Sequence, residues 1–309
     1  MNEPLLVIMA AGLGSRYGGP KQLSPVNPGG PLLLEYSLYD AFEAGFRRVV
    51  LVTQSAMEPA LQRALGSRLA RMAQFQYAYQ QVDVLPPGLA VPPGRTAPWG
   101  MGHGLLCAWE YLDAPFGVIG SHRYYGRHAF RLLYRYLKEE VDPEGSRHCM
   151  VAHLLENTLP AQEPADRELC VTDTAGQLLE LVTHPGVLHR GGADQYTPDG
   201  GDSWVTIPRG HLASLDCWGF SPAFMSQVAR QFMDFMEREV PQDPLQAQLP
   251  LSQVVGAALA RGEAAVQVLP TPDHSWDLVH PQDKAAAAEA LTRLHKDGAY
   301  PQPLWAGRF

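Results

Sequence analysis

The first stretch of the chain with chemical potential is Ala10-Ala11-Gly12-Leu13-Gly14-Ser15-Arg16, followed by Pro20-Lys21. Glycines at 12 and 14 let a backbone approach a phosphate closely, and the loop N–H groups can then cradle its oxygens. Arg16 and Lys21 add cationic contacts suited to a triphosphate. The loop lacks the Gly-Lys-Ser/Thr ending of a Walker loop, and its glycine spacing is not the dinucleotide fingerprint. Two more loops gather polar residues: "PWGMGHG", with Gly100 and His103, and "GSHRYYG", with Ser121, His122 and Arg123.

The elements around these loops give them a common place. "LLVIMA" is a continuous apolar run, as expected for a central parallel strand buried on both faces. "PLLLEYSLYDAFEAGF" has helical spacing and ends at Gly45, and "RRVVLVTQ" is a second buried strand. A helix over "EPALQRALGSRLARMA" and a strand over "FQYAYQQV" follow. "LPPGLAVPPGRTAPWGMGHG" is too rich in Pro and Gly for regular structure and leads into a short helix, the strand "FGVIG" and a helix from Arg127. This order predicts right-handed crossovers and an α/β fold with a doubly wound, mostly parallel central sheet. All three polar loops then fall at carboxyl ends of strands, where such a sheet binds its ligand. In the second half, "CMVAHLL" and "LASLDCWGF" read as strands. "PAFMSQVARQFMDFMERE", "LPLSQVVGAALA" and "DKAAAAEALTRLHK" read as helices. Residues 184–210 read as a mobile loop or hairpin over the site.

The 309 residues, 46% hydrophobic and 18% charged, are enough for a sizeable core. A formal charge of −8 argues against nucleic acid as the main partner, because neutralising phosphates needs a basic surface. Cys107, Cys149, Cys170 and Cys217 are not at metal-site spacing and read as buried free thiols. The N-terminal apolar run is too short for a signal segment, and no run is long enough to span a membrane, so a cytoplasmic protein without a membrane partner is expected.

Gly-x-Gly-Ser-Arg followed by Pro-Lys resembles the signature of the sugar-nucleotidyltransferases, the nucleoside-diphosphate-sugar pyrophosphorylases. "PWGMGHG" resembles the second nucleotide-contacting segment of that family. "VIGSHRYYGRHAF" resembles the strand and loop that its nearest subgroup writes Asn-Ala-Asp-Asp-Phe-Tyr-Gly, and "DCWGF" resembles a later strand near the sugar. The similarity runs from about residue 4 to 290. It implies one Rossmann-like nucleotidyltransferase domain over 1–309 with an inserted β-rich sugar-side region. Its nucleotide-binding half would be 1–135, and its acceptor-binding half, with the C-terminal helix, 136–309. The implied reaction joins a nucleoside triphosphate to a sugar 1-phosphate or similar phosphorylated acceptor and releases pyrophosphate. Arg16, Lys21, His122 and Arg123 would act in catalysis. Ala10, Ala11, Gly12, Gly14, Ser15, Gln80 (or Gln81), Gly100 and His103 would bind the nucleotide, and Glu156, Asn157, Asp216 and Trp218 the acceptor. The family's Mg²⁺ is held by two carboxylates, and a homo-oligomer is a family-level expectation.

Three positions depart from the family. His122 or Arg123 stands where the metal-binding acid belongs, and neither is a hard oxygen ligand for Mg²⁺. Thr183 and His184 stand where Glu and then Arg or Lys are usual, and Asp216 stands for an Asn. Three explanations remain open at this stage. Metal binding has moved to Asp277 and Asp216; or His122 and Arg123 supply the charge themselves; or the protein is a noncatalytic homologue that binds nucleotide or sugar nucleotide without turning it over.

Overall fold

The computed structural model describes residues 3–12, 19, 21–27, 29–141, 144–160 and 163–308. Strand β1 (Leu5–Met9) leads into the first polar loop, and helix α1 (Leu33–Ala44) follows it. Glu35 caps α1 by accepting from the Leu32 backbone N–H at 2.7 Å, and Gly45 stops it with a φ of 125°. Then come β2 (Arg48–Thr53), α2 (Glu58–Leu69) and β3 (Gln74–Tyr79), and after the Pro/Gly-rich segment α3 (Met101–Ala108) and β4 (Phe116–Gly120). A two-residue strand β5 (Arg123–Tyr124), helix α4 (Arg127–Glu139) and strand β6 (Arg147–Leu154) complete the first half.

Strands β7 (Ala165–Thr172), β8 (Leu178–Arg190), β9 (Ala193–Tyr196) and β10 (Val205–Ile207) precede β11 (Leu212–Phe220). Helices α5 (Met225–Arg238) and α6 (Leu251–Ala260), strand β12 (Ala265–Thr271), the short β13 (Trp276–Asp277) and helix α7 (Asp283–Lys296) close the chain.

The sheet is mixed around a parallel core. β4, β1, β2 and β3 run parallel in that order. β11 lies antiparallel to β4, β6 and β7, and β6 pairs in parallel with β12. β7 to β10 extend this sheet as an antiparallel meander. Residues 184–210, expected as a mobile loop or hairpin over the site, form a hairpin between the second half of β8 and β9, followed by β10. Pro185, Gly186 and Gly191-Gly192 broke the alternation that marks a strand. One core packs on each face of the sheet. The first joins α1, α4 and α7 over Leu6, Ile8 and Ile119, and the second joins α3, α5 and α6 over Leu5, Val7 and Val118. Among the described residues no helix is long and apolar enough to cross a membrane.

Two details position the site. Gly100, just before α3, has a φ of 90°, and a Cβ there would lie 2.5 Å from the Leu249 carbonyl oxygen and 2.7 Å from its nitrogen. Backbone meets backbone at this point, so Gly100→Ala is expected to destabilise the fold by about 1–3 kcal/mol or more, read as a lower midpoint of thermal unfolding.

Under the "GSHRYYG" loop, the fully buried Asp40 accepts from the Tyr300 hydroxyl at 2.6 Å, and Tyr300 in turn accepts from Tyr124 at 2.8 Å. Burial pushes the Asp40 carboxyl up to about 7, against the pull of Tyr300 and Arg127. A carboxyl raised in the folded state gives stability that is complete below its unfolded value and lost as pH climbs through about 7. Asp40→Asn should therefore gain thermal stability relative to wild type between pH 4 and pH 8. An offset independent of pH would remove Asp40 as the cause.

Candidate active site

A cavity of about 230 Å³ opens at the carboxyl ends of β1 and β4. Its walls include Met9, Ala11 and Gly12 after β1, Gln80 after β3, Gly100 and Met101 at the start of α3, Ser121, His122, Arg123 and Tyr125 after β4, and Asp216 on β11. The three polar loops thus meet in one place, as the strand order requires. Ser121 continues the β1–β4 pairing by donating its backbone N–H to the Met9 carbonyl at 3.0 Å.

The first loop is anchored by two uncharged side chains. Gln22 Nε2 donates to the carbonyls of Ala10 (2.7 Å) and Gly12 (3.0 Å), and Gln54 Nε2 donates to that of Ala11 (3.2 Å). Three successive carbonyls are held from the protein side. Gln22 is 2% exposed, so its geometry is fixed by packing. At Gly12 a Cβ would meet none of the described residues within 4 Å, so no described packing contact calls for a glycine there. Gly14, Ser15 and Arg16 lie outside the described residues. Of Lys21 the structure describes only its place at the start of a 3-10 turn, Lys21–Leu23.

The segment before α3 is held by Arg95. Its guanidinium donates to the carbonyls of Ala97, Pro98, Pro244 and Ala247 and lies 3.5 Å from the centre of the Trp99 ring. Gln80 Nε2 donates to the Gly100 carbonyl at 2.7 Å, tying β3 to the start of α3.

On the opposite wall Arg123 makes a two-toothed ion pair with Asp277. Nε donates to Oδ1, and Nη2 donates to Oδ2 at 2.9 Å. The two residues are register partners in the β5–β13 ladder. Nη1 donates to the Leu215 carbonyl at 2.6 Å. That carbonyl is available because β11 bulges between Ser214 and Trp218, where its pairing with β6 is interrupted. Asp216, in this bulge, has a φ of 57° and accepts from the Trp218 indole at 3.3 Å. A non-glycine in the left-handed region is unfavourable and marks a place where backbone comfort yields to another demand. Burial would raise the Asp277 carboxyl, but Arg123, with Arg167 and His122 nearby, holds it well below the usual carboxylate range. The charge cluster reaches Glu168 on β7, whose carboxyl is raised by burial and by Asp216. Glu168 also lines a larger open cleft, of about 560 Å³, between β8 and α6.

These contacts decide which residues come together. Ala11, Gly12, Gln80, Gly100, His122, Arg123 and Asp216 line the cavity, and Ala10 sits beneath it through Gln22. His103, expected at the nucleotide, is 1% exposed inside α3. It donates from Nε2 to the Val84 carbonyl at 2.6 Å and stacks on Phe232. Trp218, expected at the acceptor, is fully buried in the core and stacks on Phe220. Glu156 and Asn157 lie in a 3-10 turn after β6, where Asn157 Nδ2 donates to the Pro272 carbonyl at 2.8 Å. Neither is among the cavity walls.

Asp277, expected as a metal ligand, has both carboxylate oxygens engaged by Arg123. Asp216 stands beside the same guanidinium, and residues 121–123 offer no carboxylate. A divalent cation held by two carboxylates does not fit this donor set. Among the described residues no three His, Cys, Asp or Glu side chains are grouped to hold one.

A mixed sheet with a parallel core, helices on both faces and a glycine-bearing loop at its carboxyl edge is a nucleotidyltransferase-like α/β fold. Residues 6–118, from β1 through most of β4, match the family described as the MobA-like NTP transferase domain. The whole fold is similar to the solved structure of the inositol-1-phosphate CTP transferase from T. maritima, at a TM-score of 0.58 and 11% identity, covering 95% of this chain and 96% of that one. No match is found among curated protein sequences.

Gln22 carries a prediction of its own. Gln22→Ala removes two hydrogen bonds that shape the first loop, each worth about 1 kcal/mol. Affinity for a nucleoside triphosphate, measured by titration calorimetry, should fall about tenfold or more. An unchanged affinity would show that the loop holds its shape without the glutamine.

Proposed function

We propose that the protein transfers a nucleoside monophosphate from a nucleoside triphosphate to a phosphorylated alcohol, such as a sugar 1-phosphate, with release of pyrophosphate. The observation that carries this reading is the first loop: a glycine whose Cβ position no described residue approaches, three carbonyls tethered by Gln22 and Gln54, and a cavity lined by Ala11 and Gly12. A phosphate oxygen of the acceptor attacks the α-phosphorus, the bond from that phosphorus to the bridging oxygen of the β-phosphate breaks, and pyrophosphate leaves. The chain's part is to position the two partners and offset charge. Gly12 and its neighbours, with Arg16 and Lys21, hold the triphosphate, and Gln80 and Gly100 border the nucleoside. The acceptor lies on the side of Arg123 and Asp216, with the Glu168 cleft beyond. Magnesium in this reading arrives with the triphosphate as part of the substrate. A homo-oligomer is compatible with this reading.

A second reading is favoured by one specific observation, the engagement of Asp277 by Arg123: the protein binds nucleotide or sugar nucleotide without turnover. The two separate in one assay. Each nucleoside triphosphate is incubated with Mg²⁺ and a panel of sugar 1-phosphates, and pyrophosphate is measured beside the thermal shift. The first reading expects pyrophosphate from at least one pairing. Stabilisation by nucleotide with no release across the panel selects the second.

A further inference from the structure

The arrangement around Arg123 permits a sharper statement, which rests on the proposed triphosphate site. We propose that the Arg123 guanidinium takes the place of a protein-held divalent cation, pairing with Asp277 and offering its remaining N–H groups to a phosphoryl oxygen in the cavity.

The argument begins with charge. A guanidinium against one carboxylate sums to zero, the same balance that a dication strikes between two carboxylates. Arg123 and Asp277 are both largely buried, with 14% and 16% of their side chains exposed, so an unmatched charge at either would be costly. Geometry supports the exchange. Nε and Nη2 grip Asp277 and Nη1 grips the Leu215 carbonyl, spending three N–H groups of the five that arginine carries. Two remain on a side chain that lines the cavity. A guanidinium whose terminal nitrogens keep N–H groups not engaged by any described residue suits a phosphoryl oxygen, and arginine keeps its charge at any ordinary pH.

The surroundings are built for the guanidinium. The β11 bulge presents Leu215, the β5–β13 ladder sets Arg123 opposite Asp277, and the Leu278 N–H donates to the His122 carbonyl at 2.8 Å to lock the loop beside that ladder. A cation at Asp277 would have to displace the two arginine N–H groups that hold its carboxylate.

The test uses the ligand-free chain, so it does not depend on whether the protein is a transferase. Mn²⁺ is titrated in and free ion is followed by electron paramagnetic resonance. Wild type should take up no stoichiometric ion. Arg123→Asp should gain one per chain, and the double change Arg123→Asp with Asp277→Asn should lose it again. Where Arg123→Asp does not fold, Arg123→Asn frees Asp277 and adds an amide oxygen without a second buried charge, and carries the same expectation.

Uptake of one ion by wild type that is lost in Asp277→Asn overturns the proposal, as does a folded Arg123 variant that takes up none. The phosphate half is read separately with EDTA present. Tripolyphosphate should raise the melting temperature of wild type and raise that of Arg123→Asn less. An equal shift, or none in wild type, overturns that half. If these hold and no pyrophosphate is ever released, the site stands and only the transferase reading falls.

Discussion

The grip of Arg123 on Asp277 is the interaction on which the carboxyl edge of the sheet depends. It links residues 154 positions apart in sequence and closes β5 against β13. Through Nη1 it also reaches the bulge of β11. Three parts of the chain that would otherwise be loose ends of strands become one wall. A pair of this kind is weak evidence for net stability, because removing two charges from water costs much of what their attraction returns. What it supplies here is register. The guanidinium fork has one satisfactory orientation, and that orientation fixes the loop after β4.

The facing wall is held by different means. The first loop is tethered through Gln22 and Gln54, and the approach to α3 through Arg95 and Gln80, all by donation to backbone carbonyls. The neutral amide donors among them fix the backbone without adding charge beside the cavity. Arg95 is set back against Trp99 and spends its donors on four carbonyls, so its charge is dispersed in structure. One wall is therefore shaped by Gln22, Gln54, Gln80 and Arg95 donating to backbone carbonyls, and the other by a matched ion pair. Among the described walls of the cavity, Arg123 and Asp216 bring one charge of each sign.

Much of this was legible in the sequence. Continuous apolar runs marked β1, β2 and β4, and the glycine and polar residues after them marked the cavity edge. The resemblance in the first 130 residues placed the loops correctly relative to one another. The losses have physical causes. Gln22 and Gln54 act through backbone carbonyls, and an amide side chain has no distinctive sequence signal. His103 and Trp218 looked functional by type, but burial turned their polar edges to the Val84 carbonyl and to Asp216. Asp277 and Arg123 were each singled out, yet their pairing was invisible because it arises from a two-residue ladder between distant segments. The β7–β10 meander was obscured by Pro185 and the glycines within it, which the extended sheet accommodates.

The central claim is that Arg123 and Asp277 act as a unit, each present because of the other. A double-mutant cycle on thermodynamic stability tests it most directly, using Arg123→Met, Asp277→Leu and the two together. Each single change takes from one nearly buried charge its two-toothed partner and should cost about 3 kcal/mol, the lower end for a broken buried pair because some solvent reaches it and Asp216, or Arg167 and His122, remain nearby. The double change strands neither, so its cost should fall well below the sum of the two. Costs that simply add would contradict the account, since they would mean that the two side chains are held independently and that the wall they share is set by something else.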